Sequence, residues 1–214
     1  QEEYYRQNKK CNPYVFFRSL SEQTGKNDVL IPDASANLIW AMQSFKIKAQ
    51  KVFTALNHSP MGYSMPATIG AYLAAKTKNI ICTIGDGSMQ MNIQELATIS
   101  HFNFPIKIFV INNNGYGLIK QTQDRWLNSR RVGVDSRSGL AMPNLIKIAK
   151  AYGIKTVEIN NQKEMDKKLR GVLKSKFPIL CDVIVDEDQR VIPKLESGNE
   201  IHNLSPKLSK KEIS

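Results

Sequence analysis

The strongest constraint on the fold is a series of short apolar runs that alternate with segments of helical pattern. Runs of strand length lie at 29–31, 51–56, 79–84, 105–111, 154–159 and 178–185. Several are apolar almost throughout, as strands are when helices cover both faces of a parallel sheet. The pattern predicts an α/β fold of three layers, in which a parallel sheet of about six strands carries helices on both faces.

Helices are predicted between these strands, and the first has a clear start. Asn12-Pro13 is typical of the N-cap and first residue of a helix. Small residues at helical spacing between 66 and 76 predict a buried helix that packs closely against another backbone. We expect three parts of the chain: an N-terminal extension or linker at 1–12, the domain itself at 13–186, and an extended tail at 187–214.

The composition and charge exclude several classes of protein. No run approaches the ~20 apolar residues of a membrane span, and the N-terminus has no apolar signal segment. The net charge of +11 comes from lysines spread along the chain, not from one patch interleaved with aromatic residues, so we expect no nucleic-acid partner. Cys11, Cys82 and Cys181 form no C-x-x-C pair, which argues against zinc or an iron–sulfur cluster and predicts a cytoplasmic setting. The absence of an initial Met predicts a fragment or a processed piece.

Polar loops follow four of the predicted strands, at 33–37, 57–62, 85–88 and 112–117. Because ligands of parallel sheets bind beyond the carboxyl ends of the strands, we expect these loops to share one edge of the sheet. The polar segment at 120–140 is too long for a simple connection, and loops of that length are often functional lids.

The loop Gly85-Asp86-Gly87-Ser88 predicts a phosphate site with a metal ion. Gly85 and Gly87 let the backbone turn sharply and approach a ligand closely. Ser88 can cap the following helix, whose first amides favour a phosphate. Asp86 is an anion, and an anion beside a phosphate needs a cation between them. Mg²⁺ fits, because it takes hard oxygen ligands from one or two side chains together with phosphate oxygens.

The second glycine-containing loop can complete the metal site. Asn113 offers a side-chain carbonyl, and Gly115 offers a backbone carbonyl that no side chain obstructs. The alternative is that both loops are ordinary turns, rich in residues that tolerate a left-handed backbone. Their position after two buried strands, one helix apart, favours the metal site.

These loops resemble the diphosphate and metal motif of thiamine diphosphate enzymes, in which G-D-G is followed, one helix and one strand later, by N-N. The stretch 91–98 resembles the helix that follows this motif in acetolactate synthases. The segment 61–67 is similar to their M-G-F-G-L-P-A, and 33–40 resembles their D-V-G-Q-H-Q-M-W. The resemblance covers most of residues 13–186 and identifies the pyrophosphate-binding, C-terminal domain of the family.

The resemblance implies thiamine diphosphate and Mg²⁺ as cofactors and gives each matching residue a role. Metal ligands would be Asp86, Asn113 and the carbonyl of Gly115. The residues expected at the diphosphate are Gly87, Ser88, Tyr116 and Gly117, with Gly85 in the same turn.

The organic rings of the cofactor would meet a different set of residues. Met61 matches the bulky apolar residue that supports the bent form of the cofactor, and the carbonyl of Ser59 would accept a hydrogen bond from its amino group. Leu118 and Ile119 would line the thiazolium and substrate side. Two further residues, Ser35 and Asn37, stand where acetolactate synthases carry the G and H of V-G-Q-H, and they are also expected at the cofactor. The resemblance assigns no catalytic residue in this chain with certainty.

The activity implied is that of a decarboxylase or carboligase, a lyase or transferase acting on a 2-oxo acid, within a homo-oligomer. In the family, a glutamate of a pyrimidine-binding domain activates the cofactor. We expect that domain on the same full-length chain or on another subunit, and we expect the present chain alone to be inactive. Two alternatives are a β subunit of a split 2-oxo acid decarboxylase and a non-catalytic module that binds phosphate or nucleotides.

Overall fold

The computed structural model describes residues 2–7, 9–75, 79–196, 198–201 and 203–206. A six-stranded sheet in the order β2-β1-β3-β4-β6-β5 forms the centre, and every neighbouring pair is parallel. The strands are β1 (Asp28–Pro32), β2 (Lys51–Val52), β3 (Asn79–Gly85), β4 (Lys107–Asn112), β5 (Lys155–Ile159) and β6 (Ile179–Ile184). The predicted three-layer α/β fold is confirmed.

Helices cover both faces of this sheet. They are α1 (Glu2–Tyr5), α2 (Pro13–Gln23), α3 (Ser35–Ser44), α4 (Ser64–Ala75), α5 (Asp86–Met89), α6 (Glu95–His101), α7 (Gly117–Trp126), α8 (Leu145–Ala151) and α9 (Gln162–Leu173). Helices α2, α3 and α9 pack into the apolar cluster on one face, whereas α4, α6 and α8 pack into the cluster on the other. Side chains alternate between the clusters along β4, as a two-residue period requires: Phe109 faces the first, and Ile108 and Val110 face the second.

The first of the predicted helices is confirmed in detail. Asn12 precedes α2, and its side chain accepts a hydrogen bond from the amide of Tyr14 at 3.0 Å. Pro13 is the first helical residue, where its missing N–H has no intrahelical partner to lose.

Two local predictions are wrong. The strand predicted at 51–56 ends at Val52, because β2 lies at the edge of the sheet and Phe53 and Leu56 are 41% and 66% exposed. The helix predicted at 66–76 as buried is buried on one side only, and its last predicted residue, Lys76, lies outside the described residues. Met65 and Thr68 are buried in α4, but Leu73 is 61% exposed, because one side of α4 packs on β1, β3 and α6 and the other side meets no described element closely.

Both ends of the chain contact the domain where they are described. Cys11 forms a parallel bridge with Val185 at the end of β6. Beyond β6, the Tyr14 hydroxyl donates to the carbonyl of Ile192 at 2.6 Å, and Gln121 and Val191 exchange two hydrogen bonds. A short antiparallel pair follows, formed by β7 (Lys194–Leu195) and β8 (Leu204–Ser205). The predicted tail therefore begins as a packed segment, and residues 207–214 lie outside the described part.

Within the described residues, no helix has the length and apolar character needed to cross a membrane. Cys11, Cys82 and Cys181 are buried and free.

Candidate functional site

The carboxyl ends of β1, β3 and β4 bring the predicted loops to one edge of the sheet. A small cavity of about 30 Å³ opens there. The predicted residues that line it are Ser35, Asn37, Met61, Gly85, Asp86, Gly87, Ser88, Asn113, Gly115, Tyr116 and Gly117. Three others lie outside its lining. Ser59 is half-buried in the loop before Met61, and Leu118 and Ile119 follow on α7, where Ile119 is 42% exposed.

Three oxygen-bearing groups converge in this cavity. One end of the Asn113 side-chain amide lies 2.8 Å from the carbonyl oxygen of Gly115 and 3.2 Å from Oδ1 of Asp86. The amide can occupy this position in two ways. With Nδ2 at this end, it donates to both oxygens. With Oδ1 at this end, three oxygens face each other and need a cation between them.

The spacing of these atoms fits a small divalent cation. Oxygens on adjacent corners of an octahedron with metal–oxygen distances of 2.0–2.1 Å lie about 2.9 Å apart. The two separations measured from Asn113 fall on either side of that value. A carboxylate, an amide oxygen and a backbone carbonyl are also the donor types that Mg²⁺ accepts. The residues present therefore fit this metal.

Among the described residues, no cationic side chain forms an ion pair with Asp86. The side chain is buried, and burial raises the pKa of the carboxyl group to about 7, against the opposing effect of the hydrogen bond from the amide of Gly115 at 2.9 Å. Asp182, a second buried carboxyl group, contributes to the rise of this pKa. A bound cation would restore the ionised form, since a nearby positive charge favours it.

Glycines at two positions make room for groups of the site itself. A Cβ at Gly117 would lie 2.4 Å from the Asn113 amide, so only glycine lets that amide reach its position. A Cβ at Gly87 would lie 2.3 Å from the ring of Tyr116. The free side of Gly87, expected to approach a ligand, is therefore covered by that ring.

The predicted capping role of Ser88 is wrong. Helix α5 begins at Asp86, with Gly85 as its N-cap, so Ser88 is already inside the first turn. A serine caps a helix from the position before it, where its oxygen can accept from the free amides of the first turn. Ser88 nevertheless lines the cavity and is buried.

The loop that carries Met61 is fastened from both sides by residues to which the sequence analysis gave no role. The buried carboxylate of Asp33 accepts hydrogen bonds from the amides of Gly62 at 3.0 Å and Ser64 at 2.9 Å. From the other side, the amide of Asn92 donates to the carbonyl of Gly62 at 3.0 Å. These bonds hold the backbone that directly follows Met61. Asp33 and Asn92 lie in the segments 33–40 and 91–98 that resemble acetolactate synthases, but the sequence alone did not indicate these contacts.

The segment at 120–140, predicted as a long loop, begins within α7, and its later part packs beside the loop at 112–117. The carbonyl of Val134 accepts from the amide of Tyr116 at 3.0 Å, and Asp135 forms a bridge with Gly115. Arg131 holds the segment in place through ion pairs with Asp124 at 2.9 Å and Asp135 at 3.2 Å. The spacing of the sequence carries no signal for these contacts.

Ser35 is one of two non-glycine residues of the predicted site with a left-handed backbone, the other being Ser59. The φ of Ser35 is +65°, at the start of α3, and a side chain in this left-handed region costs roughly 1–2 kcal/mol relative to the right-handed one. The preceding residue, Ala34, provides no side-chain cap to offset this cost. Acetolactate synthases carry glycine at the position that corresponds to Ser35, and glycine adopts such a φ without penalty.

We expect Ser35→Gly to raise the free energy of unfolding by about 0.5–1 kcal/mol, because relief of the left-handed strain exceeds the backbone entropy cost of glycine. Denaturant unfolding of the metal-free protein measures it. The matched control is Ser100→Gly, an ordinary helical position in α6, which should lose stability. A loss of stability for Ser35→Gly would contradict the strain argument.

The sequence of this chain is similar to a protein-family model and to several known enzymes. Residues 33–183 match the family model described as thiamine pyrophosphate enzyme, C-terminal TPP binding domain. The acetolactate synthase large subunit of Porphyra purpurea is 34% identical over 178 residues, which is 83% of this chain and 30% of the relative. The acetolactate synthase large subunit of Lactococcus lactis is 32% identical over 197 residues, which is 91% of this chain and 33% of the relative. The probable acetolactate synthase large subunit of Methanocaldococcus jannaschii is 30% identical over 218 residues, which is 96% of this chain and 36% of the relative. The chain thus spans about a third of the length of these relatives.

Proposed function

Because the chain belongs to the thiamine pyrophosphate enzymes, as the C-terminal TPP-binding domain of an acetolactate synthase-like member, we propose that its strand-end loops bind Mg²⁺ and the diphosphate of the cofactor. The observation that carries this proposal is the convergence of Asp86, Asn113 and Gly115 oxygens at metal-ligand spacing. The family match and the geometry of these three groups support the same site.

The proposed roles follow from the position of each residue in the cavity. Asp86, Asn113 and the carbonyl of Gly115 hold the metal, and the metal neutralises the charge that the diphosphate brings beside Asp86. The residues proposed to contact the diphosphate are Gly85, Gly87, Ser88, Tyr116 and Gly117, with Ser35 and Asn37 at the rim of the same cavity. The ring of Tyr116 moves off Gly87 in this proposal, since it covers the free side of that glycine.

Met61 is proposed to support the organic rings of the cofactor, and the Ser59 carbonyl to accept from its amino group. The bonds from Asp33 and Asn92 to the backbone of Gly62 and Ser64 support this role, because they hold the backbone next to Met61 in place without a bound ligand. Leu118 and Ile119, at the start of α7, are proposed for the thiazolium and substrate side.

We propose that the reaction is decarboxylation of a 2-oxo acid, or transfer of the resulting fragment to a second carbonyl compound. Bound thiamine diphosphate supplies the electron sink for such chemistry, and the protein supplies binding and orientation. The relatives named acetolactate synthase support this class.

A pyrimidine-binding domain is proposed as the partner, supplied by the same full-length chain or by another subunit of a homo-oligomer. Met91 lies beside the Met61 loop and is 46% exposed, so apolar surface is available to a partner at this edge of the sheet.

Release of CO₂ from pyruvate tests the proposed reaction. We expect the full-length protein to release it only with thiamine diphosphate and Mg²⁺ present, because the cofactor supplies the electron sink. The 214-residue chain alone should release no more than the free cofactor, because in this proposal the activating glutamate comes from the pyrimidine-binding domain. Robust release by the chain alone would contradict the partner requirement. No release from any 2-oxo acid by the loaded full-length protein would contradict the substrate class.

A further inference from the structure

A second cleft lies at the opposite edge of the sheet from the proposed cofactor site. Its volume is about 730 Å³, and it opens at the amino ends of β1, β3 and β4, beside the last turn of α9. The buried residues at its floor are the first residues of these strands, Asp28, Asn79 and Lys107. The cleft does not depend on the proposed function, because none of its lining belongs to the cofactor cavity.

The floor of this cleft contains a buried ammonium group. Lys107 is 1% exposed, and its Nζ donates to the carbonyls of Pro105 and Ser175, the latter at 2.7 Å. An ammonium has three N–H donors, so one remains after the two bonds found within the described residues. Burial lowers the pKa of Lys107 to about 8, against the opposing effect of Asp28. A bound anion would therefore favour the charged form of Lys107.

One carboxylate, Asp28, lies beside this ammonium and offsets part of its charge. It accepts from the amide of Gly25 at 2.8 Å and from the side chain of Asn79 at 2.9 Å. Among the described residues that line the cleft, Asp28 is the only acid.

The rim of the cleft adds three further cations, Arg170, Lys174 and Lys176. None of them forms an ion pair with an acid in the part of the chain that the structure describes. The helix dipole favours cations at the C-terminal end of a helix, and this accounts for Arg170 in the last turn of α9 and for Lys174 directly after it. The dipole does not account for the buried ammonium between the strands. The cleft therefore has a surplus of positive charge that an anionic ligand would balance.

A buried acceptor in the same cleft defines the ligand further. Oε1 of Gln23 is buried and has no hydrogen-bond partner among the described residues, while its Nε2 donates to the hydroxyl of Ser19 at 3.0 Å. An unsatisfied buried acceptor costs about 1–3 kcal/mol unless a donor reaches it. At about pH 8 a phosphate monoester is doubly ionised and has no O–H to donate, whereas a hydroxyl group beside it can donate.

We propose that this cleft binds a small phosphorylated metabolite with hydroxyl groups next to its phosphate, such as a sugar phosphate. The phosphate lies against Lys107, Lys174 and Lys176, and a hydroxyl group donates to Oε1 of Gln23. The volume of the cleft is in the range of small-molecule sites.

Calorimetric titration of the full-length protein with ribose 5-phosphate tests this site. EDTA is present, so that metal-dependent binding at the other edge is absent. We expect saturable binding, about tenfold or more weaker for Lys174→Gln/Lys176→Gln, since each charged contact contributes roughly a factor of ten. The matched control, Lys163→Gln/Lys167→Gln, removes the same charge from the exposed part of α9 and should leave the affinity unchanged.

Gln23→Met tests the hydroxyl contact apart from the phosphate contact. The substitution should weaken the affinity for ribose 5-phosphate several-fold and leave the weaker affinity for sulfate unchanged, because sulfate has no O–H group at neutral pH to donate to Gln23. No binding of ribose 5-phosphate, or equal affinity for the Lys174→Gln/Lys176→Gln variant, would overturn the site. Equal affinity for ribose 5-phosphate and sulfate would overturn the assignment to a hydroxyl-bearing ligand.

Discussion

Replacing Asp86 with alanine is expected to weaken Mg²⁺-dependent binding of thiamine diphosphate by more than about 100-fold, since residues that only support a metal ligand already contribute 10–100-fold. Asp86 is the single carboxylate among the three proposed ligands, so its removal leaves two neutral oxygens to hold the metal. Calorimetric titration measures the change. Asp166→Ala, an exposed position on α9, is the control and should bind as the wild type does. Undiminished Mg²⁺-dependent affinity in Asp86→Ala would contradict the metal site.

The carboxylate of Asp86 is expected to favour metal binding but to lower the stability of the metal-free protein. In the metal-free protein, burial raises the pKa of Asp86 to about 7 from the 3.8 of a free side chain. Between these values the folded chain retains a proton that the unfolded chain releases, so rising pH lowers the stability of the wild type, fully so above pH 7. Asp86→Asn cannot titrate. We therefore expect it to be more stable than the wild type at about pH 8, with a smaller difference at about pH 4. Denaturant unfolding at both pH values measures this, and a less stable variant at the higher pH would contradict it.

Replacing Asp33 with alanine is expected to lower stability by about 2–5 kcal/mol and to weaken cofactor binding in the molecules that remain folded. The change leaves the amides of Gly62 and Ser64 buried without acceptors, at roughly 1–3 kcal/mol each. It also frees the backbone around Met61, so the loop must be ordered again when the cofactor binds. Asp33→Asn retains one acceptor oxygen, so its stability should lie between those of the wild type and Asp33→Ala.

Asp28→Ala is the matched control for this experiment. Asp28 is also buried and also accepts two hydrogen bonds, from Gly25 and Asn79, but at the opposite edge of the sheet. Its loss should lower stability similarly and leave the affinity for thiamine diphosphate unchanged. If both variants lost cofactor affinity equally, the effect of Asp33 would be one of general stability, and its role in positioning Met61 would be wrong.

The sheet and its functional edge could be predicted because they depend on local sequence. The apolar runs that became β3, β4 and β6 are continuous, which is typical of strands covered on both faces. Once the strands are parallel, the loops after β1, β3 and β4 must share an edge. The meeting of Asp86 with Asn113 follows from that topology, and the structure brings them within 3.2 Å.

The remainder depends on contacts that sequence spacing does not encode. The apolar pattern of α4 gave its helical period, but not the number of neighbours that would cover it. The capping prediction for Ser88 placed the N-cap three residues too late, because α5 begins directly at the end of β3, with Gly85 as its N-cap. The hydrogen bond between Tyr116 and Val134 joins the loop at 112–117 to a segment whose sequence has no helical or strand periodicity. The hydrogen bonds of Asp33 to Gly62 and Ser64 likewise became visible only in three dimensions.

The most direct test of the account is calorimetric titration of the wild-type protein with thiamine diphosphate, once with Mg²⁺ and once with EDTA. We expect saturable binding with Mg²⁺, a loss of more than about 100-fold with EDTA, and weak binding of thiamine without its diphosphate under either condition. The same affinity in EDTA as in Mg²⁺, or no binding in Mg²⁺, would contradict the proposal that Asp86, Asn113 and Gly115 hold the metal that binds the cofactor.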